Sequence, residues 1–250
     1  MSPPKVIVVI PARYGSTRLA GKPLISLAGK PMIQRVYERA KLAQRADRVI
    51  VATDDERIVK AVEGFGGAAR MTRIEHRTGT ERVAEVAARE EGDVFVNVQG
   101  DEPLLDPHAI DVAVNSLLEE PQASISTVAT PIKTPGDIMD PNVVKAVLDF
   151  DGNAIYFSRA PIPWVRDTAS KIQVRHLKHL GLYVFQREAL LEYPTLPQGE
   201  LERIEQLEQL RWMENGYKIR VAETPHDSVS VDVPEDVTRV EQLLRESPSA

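Results

Sequence analysis

Short apolar runs alternate with helical periods along the first half of the chain, and this alternation limits the fold more than any other feature. Runs with the length of a buried strand occupy residues 5–10, 48–53, 68–71, 94–98 and 125–130. Between them, apolar side chains recur at helical spacing in residues 31–43, 56–65, 80–89 and 106–118. This series predicts an α/β fold with a mostly parallel sheet and helices on both faces.

The pattern changes after about residue 131. Residues 143–149, 154–157 and 181–185 are strand-like, which predicts a smaller antiparallel insertion. We expect one long helix over 199–215 with Leu201, Ile204, Leu207 and Leu210 on one face, then strands at 217–223 and 228–231 and a helix at 234–245. The predicted organisation is a core (1–130), an insertion (131–198) and a C-terminal part that completes the core (199–250).

A basic loop follows the first predicted strand. Residues 11–24 read PARYGSTRLAGKPL and include Arg13, Arg18 and Lys22 but no acidic residue. The first 37 residues hold six lysines and arginines and no acid, whereas the chain as a whole has a net charge of −6. Glycines and cations at the end of a parallel strand are typical of a phosphate site. A solvated basic face is the alternative.

Two common phosphate loops do not match this sequence. A Walker A loop has four residues between its glycine and Gly-Lys, followed by Ser or Thr, whereas five residues separate Gly15 from Gly21 and Pro23 follows Lys22. The G-x-G-x-x-G fingerprint of dinucleotide-binding proteins is absent. The loop therefore indicates another kind of nucleotide or phosphate protein.

Composition excludes several classes of protein. The 250 residues contain no cysteine, which excludes a disulfide framework and a cysteine nucleophile. The acidic net charge argues against a nucleic-acid partner. The sequence shows neither a signal peptide nor an apolar run of transmembrane length, so we expect a cytoplasmic protein without membrane insertion.

Two aspartates are predicted to meet at the edge of the sheet. Asp101 follows the strand at 94–98 in the run QGDEP, and Asp232 follows the predicted strand at 228–231. Carboxylates at adjoining strand ends fit the preference of Mg²⁺ for hard oxygen ligands. The structural alternatives are a turn residue for Asp101 and a helix cap for Asp232.

The loop resembles the signature of the sugar-activating cytidylyltransferases, in particular the 3-deoxy-manno-octulosonate (KDO) group. The resemblance continues, in order along the chain, through HRTGTERVAEV, VNVQGDEP, YFSRAPIPW, KHLGLYVF, LEQLR and VDVPEDVTRV. It implies a Rossmann-like, GT-A-like nucleotidyltransferase sheet that transfers CMP from CTP to an acid sugar, with Mg²⁺ as cofactor. It also implies a homodimer, built in part on 131–198, whose product feeds lipopolysaccharide assembly.

The resemblance assigns a nucleotide site. It places the triphosphate of CTP on Arg13, Ser16, Thr17, Arg18 and Lys22, and the base near Arg73, Thr80 and Glu81. It makes Asp101 and Asp232 the metal ligands, and these two with Arg18 and Lys22 the catalytic set. An ordinary surface arginine is the alternative for Arg73. We assign no role to His76, because no metal-ligand spacing surrounds it.

The resemblance also assigns an acid-sugar site, made of Gln99, Arg159, His179, Tyr183, Glu208 and Gln209. Strand alternation puts His179 and Tyr183 on the same face. His179 has the alternative of a buried core histidine, and Glu208 and Gln209 that of solvated helix surface.

Three other functions remain open at this stage. The nearest is the same transfer to another acid sugar, such as sialate or 8-amino-KDO. A metal-dependent glycosyltransferase is less favoured, because QGDEP stands where that class generally has D-x-D. A non-catalytic nucleotide-binding protein would have no need of the two aspartates.

Overall fold

The first strand, β1 (Val6–Ala12), is buried on both faces, as its apolar run predicts. Val6, Val8 and Ile10 join one hydrophobic cluster, and Ile7 and Val9 join another on the opposite face. The computed structural model describes residues 3–15, 19–167 and 174–246. Within these ranges β1 lies inside a mixed sheet that is covered by helices on both sides.

The main sheet has the strand order β11-β7-β10-β6-β1-β4-β5. Neighbours along this path are parallel except β10, which runs antiparallel to both β6 and β7. The other strands are β2 (Ser26–Leu27), β3 (Lys30–Pro31), β4 (Arg48–Thr53), β5 (Ala69–Met71), β6 (Val94–Asn97), β7 (Ile125–Pro131), β8 (Lys145–Leu148), β9 (Ala154–Ser158), β10 (Leu177–Gln186) and β11 (Ile219–Glu223). The predicted α/β class with a mostly parallel sheet is confirmed.

Helices pack on both faces of this sheet. They are α1 (Met32–Ala40), α2 (Glu56–Gly64), α3 (Gly79–Arg89), α4 (Pro107–Glu119), α5 (Pro135–Met139), α6 (Arg187–Glu192), α7 (Glu200–Glu205), α8 (Gln209–Glu214) and α9 (Pro234–Glu246). Buried side chains of α1 (except Met32), α2 and α4 belong to one core cluster, and those of α3, α6 and α8 to the other. A third, smaller cluster joins α9 to the β2–β3 hairpin.

The prediction of one helix over 199–215 is wrong. The segment forms α7 and α8, separated at Gln206, whose φ of 53° and ψ of 48° are left-handed. Leu201 and Ile204 are exposed while Leu207 and Leu210 are buried, so the four side chains do not form one apolar stripe. The helical segment therefore breaks between its exposed leucine and isoleucine side chains and its buried leucines.

Two further segments differ from expectation. Residues 228–231 form no strand, and one of their links to the sheet edge is the Val231 N–H, which donates to the Asp101 carbonyl at 2.9 Å. Strand β10, placed by the sequence in the insertion 131–198, lies in the middle of the main sheet. The hairpin β8–β9 extends from one end of β10 and is the antiparallel part outside the main path.

Candidate functional site

The site forms where β1 and β6 end side by side. Their parallel register pairs Val9 with Asn97, so the loop after β1 and the turn after β6 leave the sheet together. A Cβ on Gly100 would lie 2.8 Å from the Pro11 carbonyl oxygen. Glycine at this position therefore allows the two backbones to approach closely.

Lys22, Asp101 and Asp232 meet at this edge. The Lys22 Nζ lies 2.7 Å from Asp101 Oδ2 and 3.1 Å from Asp232 Oδ1. Lys22 begins a 3₁₀ turn directly after Gly21, whose φ of 65° suits glycine. The two aspartates lie together as the sequence predicts, although 228–231 is not a strand.

The segment that carries Asp232 is held at both of its ends. Val231 is bonded to the Asp101 carbonyl, and the Ser228 hydroxyl donates to Glu102 Oε2 at 3.0 Å. At the start of α9, the Asp236 carboxylate accepts from the backbone N–H groups of Asp232 and Val233. Asp236 thus ties the backbone at Asp232 to the first turn of α9, as the acidic residue of a capping box does.

Glu102 is buried next to Asp101, and this burial changes its pKa. Desolvation raises the pKa of Glu102 to about 7, and the neighbouring Asp101 carboxylate acts in the same direction. The acidic edge of the site therefore carries less negative charge near neutral pH than its sequence suggests.

The first cavity, about 300 Å³, lies beside the basic loop. Arg13 and Lys22 line it, as predicted, together with His76, Arg77, Thr78, Gly79 and Arg82 from the start of α3. Ser16, Thr17 and Arg18 lie outside the described residues. The cations that line this cavity suit a polyanionic nucleotide.

The residues predicted for the base pocket, Arg73, Thr80 and Glu81, are held by contacts within the chain. The Arg73 side chain is 71% exposed and its guanidinium lies 3.7 Å from the Glu85 carboxylate. Thr80 is buried and donates to Glu208, and Glu81 accepts from the Arg77 N–H at 2.8 Å. Thr80 and Glu81 therefore make structural contacts at the start of α3, and their contact with the base stays a prediction.

Sequence reasoning missed residues that lie just before Thr80 and Glu81 in the chain. Thr78 caps α3 by accepting from the Glu81 N–H at 3.1 Å. The spacing of a threonine and a glutamate three residues later is a capping signal that was readable in the sequence. His76, to which we gave no role, lies at the cavity wall with Nε2 2.5 Å from the Glu85 carboxylate.

Asp101 and Asp232, the predicted metal ligands, both contact Lys22. Both carboxylates reach the same ammonium group, which shows that their oxygens converge on one cation. Among the described residues, no group of three His, Cys, Asp or Glu side chains could hold a metal ion. A divalent ion held here would therefore take its other ligands from water or a substrate, a common arrangement for Mg²⁺ on phosphates.

A second cavity, about 710 Å³, opens beside the first. Its lining includes all six residues predicted for the acid sugar: Gln99, Arg159, His179, Tyr183, Glu208 and Gln209. Four residues line both cavities, namely Gln99, Asp101, Glu208 and Asp232. The two cavities therefore meet at the paired aspartates.

His179 and Tyr183 share one face of β10, as predicted, with ring centroids 5.4 Å apart. His179 Nε2 lies 2.9 Å from Thr127 Oγ1, and burial lowers the pKa of His179 to about 3. The Tyr183 hydroxyl donates to Gln209 Oε1 at 2.9 Å. His179 is therefore a neutral hydrogen-bonding group in this wall.

Glu208 and Gln209 are not solvated surface. Thr80 donates to Glu208 at 2.7 Å, while burial raises the pKa of Glu208. Gln209 is 3% exposed, and its Nε2 has no hydrogen-bond partner in the described part of the chain. A buried, unpaired donor beside a cavity favours a ligand oxygen as its partner.

The chain belongs to the cytidylyltransferase family, whose profile matches residues 7–219. Its relatives narrow the assignment to the 3-deoxy-manno-octulosonate cytidylyltransferases. The protein of that name from Solibacter usitatus is 54% identical over 98% of this chain and 96% of its own length. The one from Syntrophotalea carbinolica is 53% identical over 96% of this chain and 98% of its own length.

A solved structure extends the match to three dimensions. The CTP complex of CMP:2-keto-3-deoxy-manno-octonic acid synthetase is 42% identical, with a TM-score of 0.92. The alignment covers 97% of this chain and 99% of that chain. Fold and sequence therefore agree along nearly the whole protein.

Proposed function

We infer that the protein transfers CMP from CTP to the anomeric 2-hydroxyl of KDO, forming CMP-KDO and pyrophosphate. The observation that carries this inference is the meeting of the two cavities at Asp101 and Asp232. A nucleotide in the first cavity and a sugar in the second would place the α-phosphorus and the attacking hydroxyl at one point. Positioning of this kind accounts for a large part of the catalysis of group transfer.

The basic loop acts on the phosphates. Arg13 binds the triphosphate, and Lys22, which stands between the loop and the aspartates, stabilises charge that develops on the α-phosphate oxygens. Asp101 and Asp232 would hold Mg²⁺, which supplies further neutralisation of phosphate charge when it is bound. Ser16, Thr17 and Arg18 complete the loop in this proposal.

The second cavity binds the acid sugar. Arg159 supplies a cation for the sugar carboxylate, and the unpaired Gln209 amide supplies a donor for a sugar oxygen. Tyr183 fixes the Gln209 amide through the hydrogen bond to its oxygen. His179, neutral at physiological pH, adds no charge to the sugar site.

We also propose a cytoplasmic homodimer. Within the described ranges, no helix combines the length and the apolar character that crossing a membrane requires. Phe150, Ile155 and Trp164 are exposed on the segment 131–198, which supports this segment as the dimer surface. Light scattering of the protein and of an Ile155→Asp variant tests it, with a monomeric variant expected.

The transfer is tested by incubating the protein with Mg²⁺, each nucleoside triphosphate and KDO, and measuring pyrophosphate release. CTP should react far faster than ATP or GTP, and UTP should be a poor but detectable substrate. Comparable rates with ATP and CTP would rule out the cytidylyltransferase reaction. Parallel reactions with sialate and 8-amino-KDO decide the sugar, since a faster reaction with either would replace KDO as the substrate.

A further inference from the structure

Lys145 is a completely buried lysine outside the nucleotide site. It opens β8, pairs across the hairpin with Ser158 and has no exposed surface. Its Nζ donates to two backbone carbonyls, at 2.9 Å to Asp140 and at 2.6 Å to Arg159. Both acceptors belong to segments that line the second cavity.

Arg159 is held on both sides of its backbone. Its carbonyl accepts from Lys145, and its N–H donates to Glu205 Oε2 at 2.9 Å. The same Glu205 carboxylate accepts from the Ser158 hydroxyl at 2.5 Å. The backbone position of Arg159 is therefore fixed by Lys145 and Glu205 together.

The Arg159 guanidinium is bonded to backbone carbonyls rather than to acids. Nε donates to the Glu205 carbonyl at 2.7 Å, and the terminal nitrogens donate to Pro141 at 2.9 Å and to Gln206 at 3.4 Å. Within the described residues its charge is thus not neutralised by a paired carboxylate. An anionic ligand in the cavity would supply the missing counter-charge.

A buried ammonium is an unfavourable choice for packing alone. Desolvation disfavours the charge and lowers the pKa of Lys145, and an apolar side chain of similar size would fill the space without that cost. The residue is therefore better explained by what it holds than by the volume it fills. It joins the loop at Asp140 to the end of β9 at Arg159.

We propose that Lys145 and Glu205 are positioning residues that fix Arg159 for the carboxylate of the acid sugar. This inference rests on the proposed function, because it assumes that the second cavity binds the sugar. The clamp, meaning Lys145 and Glu205 with the Arg159 backbone between them, acts through Arg159 and does not touch the nucleotide cavity. It therefore affects binding of one substrate and leaves the other unchanged.

The test is a Lys145→Met variant, which keeps the length of the side chain but removes its donors. KM for KDO should rise about tenfold, since small misplacements of a positioned group weaken its contact strongly. KM for CTP should stay within about twofold, whereas the melting temperature should fall by a few degrees, because the Asp140 and Arg159 carbonyls lose their donor. Lys60→Met, an exposed lysine on α2, is the matched control and should leave all three values unchanged.

Substitutions of Glu205 test the other side of the clamp. They decide whether the proposal holds if Lys145→Met does not fold. Glu205→Ala should raise KM for KDO, whereas Glu205→Gln should retain near wild-type values because its amide oxygen still accepts from the Arg159 N–H. An unchanged KM for KDO in Glu205→Ala overturns the proposal. So does an equal rise in both KM values with a lower melting temperature, which indicates a purely structural role. Wild-type protein that forms no pyrophosphate with KDO contradicts the proposed function itself.

Discussion

The Lys22 ammonium lies between Asp101 and Asp232, 2.7 Å from one carboxylate and 3.1 Å from the other. These three residues come from the first loop, the middle and the last quarter of the sequence. The cation proposed for the phosphates is therefore held by the acids proposed for the metal. A divalent ion bound at the same carboxylates would compete with the ammonium for them, so metal binding would be linked to the position of Lys22.

Removal of this lysine should affect turnover far more than folding. Lys22→Ala should lower kcat by about 10²-fold or more, as expected when a group that stabilises transition-state charge is lost. The measurement is pyrophosphate release at saturating CTP and sugar, with Lys41→Ala, an exposed lysine, as the control. Near-normal turnover in Lys22→Ala would remove Lys22 from the catalytic set.

The two aspartates should behave as a unit. Asp101→Asn and Asp232→Asn should each lower kcat by about 10²-fold or more, because a shared metal site needs both charges. The double variant should be only slightly worse than the worse single variant. The measurement is kcat across a Mg²⁺ titration.

An exposed neighbour provides the control for this experiment. Glu235→Gln removes a negative charge at the start of α9 without touching Lys22, and should leave the Mg²⁺ dependence unchanged. An active Asp232→Asn enzyme with wild-type Mg²⁺ dependence would show that Asp232 is no ligand, and would leave Asp101 as the remaining candidate.

The sheet was predictable because its strands are apolar and locally continuous. The strand at Arg48–Thr53 was placed to the residue, and β1 and β6 within one or two. The break at Gln206 was not predictable, since a glutamine with positive φ is imposed by packing of α7 and α8 and not by its own preference. The expected strand at 228–231 was wrong for a similar reason, since hydrogen bonds from Val231 to Asp101 and from Ser228 to Glu102 hold this segment without strand pairing.

The candidate site also contains residues that could be predicted from the sequence and residues that could not. The proximity of Lys22 and Asp101 could be predicted, because their loops follow β1 and β6, which the sequence places within two residues. Asp232 was expected at this edge because of a strand at 228–231, and that strand does not form. The sugar residues were chosen mainly by resemblance, and the structure groups them in one cavity. Lys145 gave no signal, because a charged residue at the start of a strand is normally taken as exposed.

Gly100 gives a steric prediction. In Gly100→Ala the new Cβ would lie 2.8 Å from the Pro11 carbonyl, so one backbone must move. We expect a loss of about 1–3 kcal/mol in unfolding free energy and a lower kcat, since Asp101 moves with its neighbour. Urea unfolding and steady-state rates measure both effects.

Gly136→Ala is the control for that substitution. Gly136 lies in α5, and no atom within 4 Å would meet its Cβ. The control should keep its activity and lose no stability. Equal stability of Gly100→Ala and wild type would mean that the strand ends are less tightly apposed than the structure shows.

The last prediction concerns acid stability and His179. Its pKa in the folded protein is about 3, against 6.5 ordinarily, because burial disfavours the charged ring. Below pH 6.5 the unfolded chain therefore binds a proton that the folded protein refuses, and stability falls as the pH drops from 6.5 towards 3. The slope from this group alone is at most about 1.4 kcal/mol per pH unit.

His179→Phe should lack this part of the slope when urea unfolding is compared between pH 7.5 and 4.5. His108→Phe, which replaces an exposed histidine, should keep the wild-type slope. Identical slopes for His179→Phe and wild type would show that His179 is protonated in the folded protein over this range.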